Sequence, residues 1–260
     1  MKIAIVGSGN VAFHIAKGIY EQQTHEPVII ARNSKELDNI KRYLNIETHA
    51  GFENVPEADL YILAVSDSAI PEVASQLRDK PLAHTSGATG IGVLTRYTDQ
   101  CGVFYPFQTF AKQVHVDWKN IPIFIEYTDL DIAEKIKDLA TSLSNSVIEL
   151  ESEQRKYLHL SGVFINNFIN HMAFLAQEIL EIEDMELDFT YPLLLQTVKN
   201  IIAHEPYDIQ TGPARRGDIE TMRKHLELLE GYDELQEIYT VISNSIMKFY
   251  RKENLLINKK

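Results

Sequence analysis

The chain has 260 residues, 45% hydrophobic and 24% charged, enough apolar material for a packed core and enough length for two domains. Its 37 acidic against 25 basic residues leave a formal net charge of −12, which disfavours a nucleic acid or an anionic membrane as partner because both demand a positive surface. The one cysteine, Cys101, excludes an internal disulfide and a cysteine-built metal cluster, so no metal site is expected.

Ile3–Val6 is apolar at every position, as a parallel strand buried on both faces requires. Gly7-Ser8-Gly9-Asn10-Val11-Ala12 follows, and residues 10–20 carry a helical pattern. This is G-x-G-x-x-G/A, with Ala12 at the third small position, set between a strand and a helix as a dinucleotide site demands. Gly7 permits the tight turn, and Gly9 lets backbone approach a pyrophosphate. Ser8, Asn10 and Val11 complete the cradle, with the amides and partial positive charge of the helix start aimed at the phosphates. The apolar run from Met1 is too short for a signal-peptide core, and no stretch approaches the roughly 18 apolar residues of a membrane span, so a cytoplasmic location is expected.

Pro27–Ala31 is the second strand, and its end bears on which dinucleotide is bound. An NAD site places Asp or Glu there for the ribose 2′-hydroxyl, whereas an NADP site supplies a cation for the 2′-phosphate. Arg32-Asn33-Ser34 stands at that point, with no acid before Glu36, which favours NADP. The alternative is that Arg32 is a solvated surface arginine. Ser34 is also placed to cap a helix over 35–43. Strands are expected at 59–65, 81–84, 102–105, 121–125 and 146–149, with a helix at about 129–142. The loops after the third and fourth strands put Val65, Ser66, His84 and Ser86 beside the nicotinamide half of the cofactor, although Ser and Gly are also ordinary loop formers. The segment Tyr105–Phe110 can wall that end off from water or pack in the core. Strand–helix alternation of this kind gives the fold class: α/β, an N-terminal Rossmann doubly wound parallel sheet, residues 1–151.

After Glu151 the pattern turns helical, and residues 152–260 are expected to form an all-helical domain for substrate binding or dimerisation. Residues 153–183 read as one long helix, with others at 191–204, 219–230 and 233–250. At 100° per residue His159, Asn166, Asn170 and Gln177 fall on one line of the long helix, with the small residue Gly162 to one side. The stripe gives His159 as proton donor, Asn166 as substrate-orienting group and Asn170 as a further substrate contact; a buried polar network or a dimer seam would account for it equally. In Thr211–Asp218, Arg215 or Arg216 can clamp a substrate carboxylate, or form a salt-bridged turn, and Asp218 can cap the next helix.

Ile5–Ala12, Ala64-Val65-Ser66-Asp67, His84–Ala88 and Thr211-Gly212-Pro213-Ala214-Arg215-Arg216-Gly217-Asp218 together resemble the Rossmann-like plus DUF2520 family, labelled NADP oxidoreductases. More distantly the layout is similar to pyrroline-5-carboxylate reductase, the deazaflavin-dependent NADP reductases and the β-hydroxyacid dehydrogenases. The resemblance implies hydride transfer at the domain cleft and a helical domain that forms a homodimer. The last group uses a lysine with an asparagine four residues on; here Lys156 is followed at that distance by Leu160, a departure from that mechanism. The resulting expectation is an NADP(H)-dependent oxidoreductase acting on a small carbonyl, imine or hydroxy compound. The alternatives are a non-catalytic NADP(H)-binding sensor or assembly module, and a reductase that passes hydride to a deazaflavin.

Overall fold

The computed structural model describes residues 1–257, with side chains described through Tyr250. The chain forms two compact units, Met1–Ile169 and Asn170–Lys260.

The first unit is built on an eight-stranded sheet. In chain order its elements are β1 (Lys2–Val6), α1 (Asn10–Gln22), β2 (Glu26–Ala31), α2 (Ser34–Lys41), β3 (Glu47–Ala50), β4 (Leu60–Leu63), α3 (Ile70–Ser75), β5 (Leu82–His84), β6 (Cys101–Pro106), β7 (Ile123–Tyr127), α4 (Leu130–Leu143), β8 (Val147–Glu149) and α5 (Ser152–Gly162). The strand order is β3-β2-β1-β4-β5-β6-β7-β8. All neighbours run parallel except β6 and β7. The all-apolar runs read from the sequence are the central strands: β1 and β4 are buried almost throughout, with cores packed on both faces. The chain leaves β1 toward β2 and β3, then returns to place β4 on the other side of β1. The crevice beyond the carboxyl ends of β1 and β4 is therefore the topological switch point, where open α/β sheets bind ligands.

Three local expectations change. β3 was not anticipated because it is an edge strand whose residues are exposed or half-buried, so it carries no apolar signature. The strand expected at 121–125 runs instead from Ile123 to Tyr127, with Ile121 buried in the core before it. The cap of α2 is Asn33 rather than Ser34: the Asn33 side chain accepts from the Lys35 amide at 3.0 Å, and Ser34 is the first helical residue.

The last strand ends at Glu149 and α5 begins at Ser152, yet the compact units part after Ile169 rather than at 151. The reason is Arg155, fully buried on α5, which ties this helix to the sheet. The helix expected as one piece over 153–183 consists of α5, a π-helical segment at Val163–Phe168, and α6 (Ile169–Glu181). The second unit continues with α7 (Tyr191–Ala203), α8 (Pro213–Arg216), α9 (Ile219–Leu228) and α10 (Asp233–Ile257). Asp218 caps α9, its carboxylate accepting from the Thr221 amide at 3.1 Å. No helix among the described residues is long and apolar enough to cross a membrane.

Candidate active site

A cavity of about 600 Å³ occupies the switch-point crevice. Gly7 through Val11 form one wall. Gly7 has φ +136°, and a Cβ there would lie 2.2 Å from the Ala64 carbonyl oxygen, so close packing of β1 on β4 requires glycine. Gly9 differs: a Cβ would meet no protein atom within 4 Å. Its missing side chain leaves the cavity open at the start of α1. No side chain caps α1 and no acid stands in its first turn, so its leading amides and dipole are available to an anion.

Arg32 and Asn33, directly after β2, line the same cavity, and Val65 and Ser66 line it after β4. The Arg32 guanidinium is 67% exposed and lies 3.2 Å from the Glu72 carboxylate. The chain-end chemistry at β2 is thus a cation with no adjoining carboxylate from its own strand. The open cradle at Gly9, the unpaired amides of α1 and Arg32 at the β2 end together fit a dinucleotide bearing a 2′-phosphate.

Three of the sequence-predicted cofactor residues do not line the cavity. Ser34 turns into α2. His84 is completely buried at the end of β5. Its Nδ1 accepts from the Ser86 amide at 3.2 Å, while Nε2 has no partner. Burial, and then the positive charge of Arg155, push its pKa down to about 3, so it is a neutral core residue. Ser86 is also buried, its hydroxyl accepting from the amides of Ala88 and Thr89. Thr85, between them, is the residue that faces the cavity.

A second cavity, of about 420 Å³, lies against the segment after β6 and the α5–π stretch. Gln108 and Phe110 line both cavities, so the two adjoin. The start of α1 holds this segment: Asn10 Nδ2 donates to the Phe110 carbonyl at 2.9 Å, and His14 Nε2 lies 2.8 Å from the Ala111 carbonyl. His159 and Asn166 both line the second cavity. His159 Nδ1 is 2.9 Å from the Tyr105 hydroxyl. Burial pushes the Tyr105 phenol up to about 12, so it stays protonated and can donate to His159. Asn166 Nδ2 donates to Thr109 Oγ1. The room left by Gly162 is filled by Phe107, whose Cε2 would lie 2.7 Å from a Cβ at that position.

Arg155 stands one helical turn before His159 and fixes the helix that carries it. Its guanidinium is 0% exposed, pairs with Glu126, and donates to the carbonyls of Ser86 and Thr89 at 3.3 and 2.7 Å. Every arm of the charge is therefore engaged, as a buried guanidinium requires.

Asn170, Arg215 and Arg216 belong to the second unit. Asn170 is exposed on α6. Arg215 lies 4.1 Å over the Tyr250 ring, a cation–π contact. Arg216 is 4.0 Å from the Asp218 carboxylate.

With this geometry, comparison with known proteins is specific. Residues 2–86 match the family described as NADP oxidoreductase coenzyme F420-dependent, and residues 121–246 match the domain of unknown function DUF2520. The "putative NADP oxidoreductase" BF3122 of Bacteroides fragilis is 35% identical, with a TM-score of 0.89 over 95% of this chain and 98% of that one. The chain belongs to this NADP oxidoreductase family. The fold extends further, to a reductive aminase of Aspergillus terreus solved with NADPH and ethyl levulinate (12% identity, TM-score 0.69, 96% and 94% covered). It also extends to 1-pyrroline-5-carboxylate reductase of Streptococcus pyogenes (18%, 0.61, 92% and 98%). No curated protein matches the chain.

In this oxidoreductase the sequence showed Tyr105 only as part of a segment that walls off water or packs in the core, and did not single out Thr85 or Arg155. The last had a local signal: an arginine four residues before a histidine on one helix face. Tyr105 had none, because its partner is 54 residues away.

Proposed function

We propose that this oxidoreductase moves hydride between NADP(H) and a small carbonyl, imine or hydroxy compound bound in the cavity that holds His159. The continuity of the two cavities through Gln108 and Phe110 supports this reading above all. It puts the dinucleotide crevice next to a partly enclosed space with an imidazole and an amide. The amides of Gly9 to Val11 hold the pyrophosphate and Arg32 the 2′-phosphate. When bound, the nicotinamide supplies or accepts the hydride and its two electrons.

The chain's own residues handle the proton. In the reducing direction the substrate carbon gains the hydride, the double bond opens onto oxygen or nitrogen, and that atom takes a proton from His159 Nε2. His159 gives that proton as the imidazolium and is left as the neutral imidazole, and the Tyr105 hydroxyl, held at Nδ1, fixes the ring so that Nε2 is left for the substrate. Asn166, held by Thr109, orients the substrate. Phe107 and Phe110 exclude water from the reacting end.

A homodimer through the helical part belongs to the same proposal. α7 has no buried residue, and Leu193, Leu195 and Ile202 on it are 72%, 60% and 82% exposed. An apolar helix left this bare needs a cover, and a second copy supplies one; light scattering after gel filtration would give twice the monomer mass.

The test is NADPH oxidation across a panel of ketones, imines and aldehydes, repeated with His159→Ala. Turnover should fall by about two orders of magnitude or more. Turnover unaltered in the variant would remove His159 from the reaction. NADPH binding with no turnover across the panel would favour a sensor.

A further inference from the structure

We infer that the cavity holding His159 takes an uncharged carbonyl or imine compound with an apolar body and discriminates against the corresponding carboxylate. This rests on the oxidoreductase reading above and names its substrate class. Among the described residues, no Asp, Glu, Lys or Arg lines the cavity. Its walls are three aromatic rings and two aliphatic side chains, and its polar equipment is three side-chain amides, the Thr109 and Tyr105 hydroxyls and the imidazole. A carboxylate entering this space would give up its water for groups that carry no compensating positive charge. The ester or amide of the same compound has no such charge to strip.

The charges nearest the cavity offer a carboxylate no partner. The charged groups whose fields reach the Tyr105 phenol, on the cavity wall, are Arg155 and Asp67. Arg155, the stronger influence, is entirely buried and its donors are taken by Glu126 and by the Ser86 and Thr89 carbonyls, so none is left for a carboxylate. Asp67, in the turn after β4, is the weaker influence and opposes an anion. The cations that the sequence offered for a carboxylate, Arg215 and Arg216, are engaged within their own unit by Tyr250 and Asp218.

The experiment uses matched sets: a 2-oxo acid with a benzyl side chain, its methyl ester and its primary amide. Two readouts are taken on the full-length protein. Binding is followed by saturation-transfer NMR with NADP⁺ present, and turnover by NADPH oxidation. The ester and amide should bind, and should turn over at least about tenfold faster in kcat/KM than the acid. Asn167→Arg, which places a cation in the cavity, should narrow or invert that preference with NADPH affinity unchanged. Better binding or turnover of the acid would overturn the inference, most directly if Arg215→Ala or Arg216→Ala abolished it. Binding of neither class would also overturn it. Selective binding of the neutral compounds without turnover would uphold the cavity's selectivity while sinking the oxidoreductase reading.

Discussion

The role of Arg32 can be tested by separating charge at the β2 end from the rest of the cofactor site. In Arg32→Ala the 2′-phosphate loses its charge-assisted hydrogen bonds, worth roughly 1.5–3 kcal/mol. In the free protein Arg32 is paired with Glu72 at 3.2 Å, both side chains about two-thirds exposed, so that pair contributes only about 0.2–1 kcal/mol. NADPH binding has to overcome this smaller term. The net effect of Arg32→Ala is a loss of roughly 2- to 100-fold in NADPH affinity, with NADH affinity little changed. Glu72→Gln should act oppositely, tightening NADPH by up to about fivefold because the competing carboxylate is gone. Fluorescence titration of both variants with both cofactors supplies the four numbers. An equal loss for NADPH and NADH in Arg32→Ala would show that the guanidinium does not meet the 2′-phosphate, and the argument from the β2 end would fail.

Gly9→Val should abolish binding of both NADPH and NADH with little change in thermal midpoint, because a Cβ there has no protein atom within 4 Å and the side chain would occupy the cradle; retained cofactor binding would contradict it. Tyr105→Phe should lower kcat on the order of tenfold with little effect on KM, since the phenol contacts His159 and not the cofactor crevice; a rise in KM alone would speak against this positioning of His159. Glu126→Ala leaves the buried Arg155 charge unmatched and should cost about 3 kcal/mol in urea unfolding, against well under 1 kcal/mol for a surface pair such as Lys156 with Glu153. His84 makes stability depend on pH: its folded pKa of about 3 lies below the ordinary 6.5, so the unfolded chain binds the extra proton and stability is lost as pH falls through that interval. Between about pH 7.5 and 5.5 the loss is about 1.4 kcal/mol. His84→Asn keeps an acceptor for the Ser86 amide and should flatten that slope; parallel slopes in the two proteins would refute the assignment.

What the sequence made legible was chemistry carried on contiguous residues. The strand, glycine turn and helix start of Ile3–Ala12 form one cofactor wall, and Arg32 follows directly from the strand beside it. Legibility failed where one residue of register mattered. After β5 the pleat sends His84 inward and Thr85 toward the cavity, so reading the strand end selected the wrong neighbour. It failed again where the partner was distant in sequence, as for Tyr105 with His159 and Arg155 with Glu126.

The helical stripe is the instructive case. His159 and Asn166 do share a cavity, but their helical line does not by itself account for the residues around them. In an unbroken α-helix Ile165 and Asn167 would stand about 120° and 80° around the axis from His159. Both nevertheless line the same cavity as His159, together with Asn166 between them. The i→i+5 bonding of Val163–Phe168 widens the turn and presents three successive residues on one side. The π segment therefore forms one wall of the cavity, facing the residues after β6. An insertion or deletion of one residue between 163 and 168 should alter substrate choice while leaving the dinucleotide crevice, built from residues outside that segment, intact.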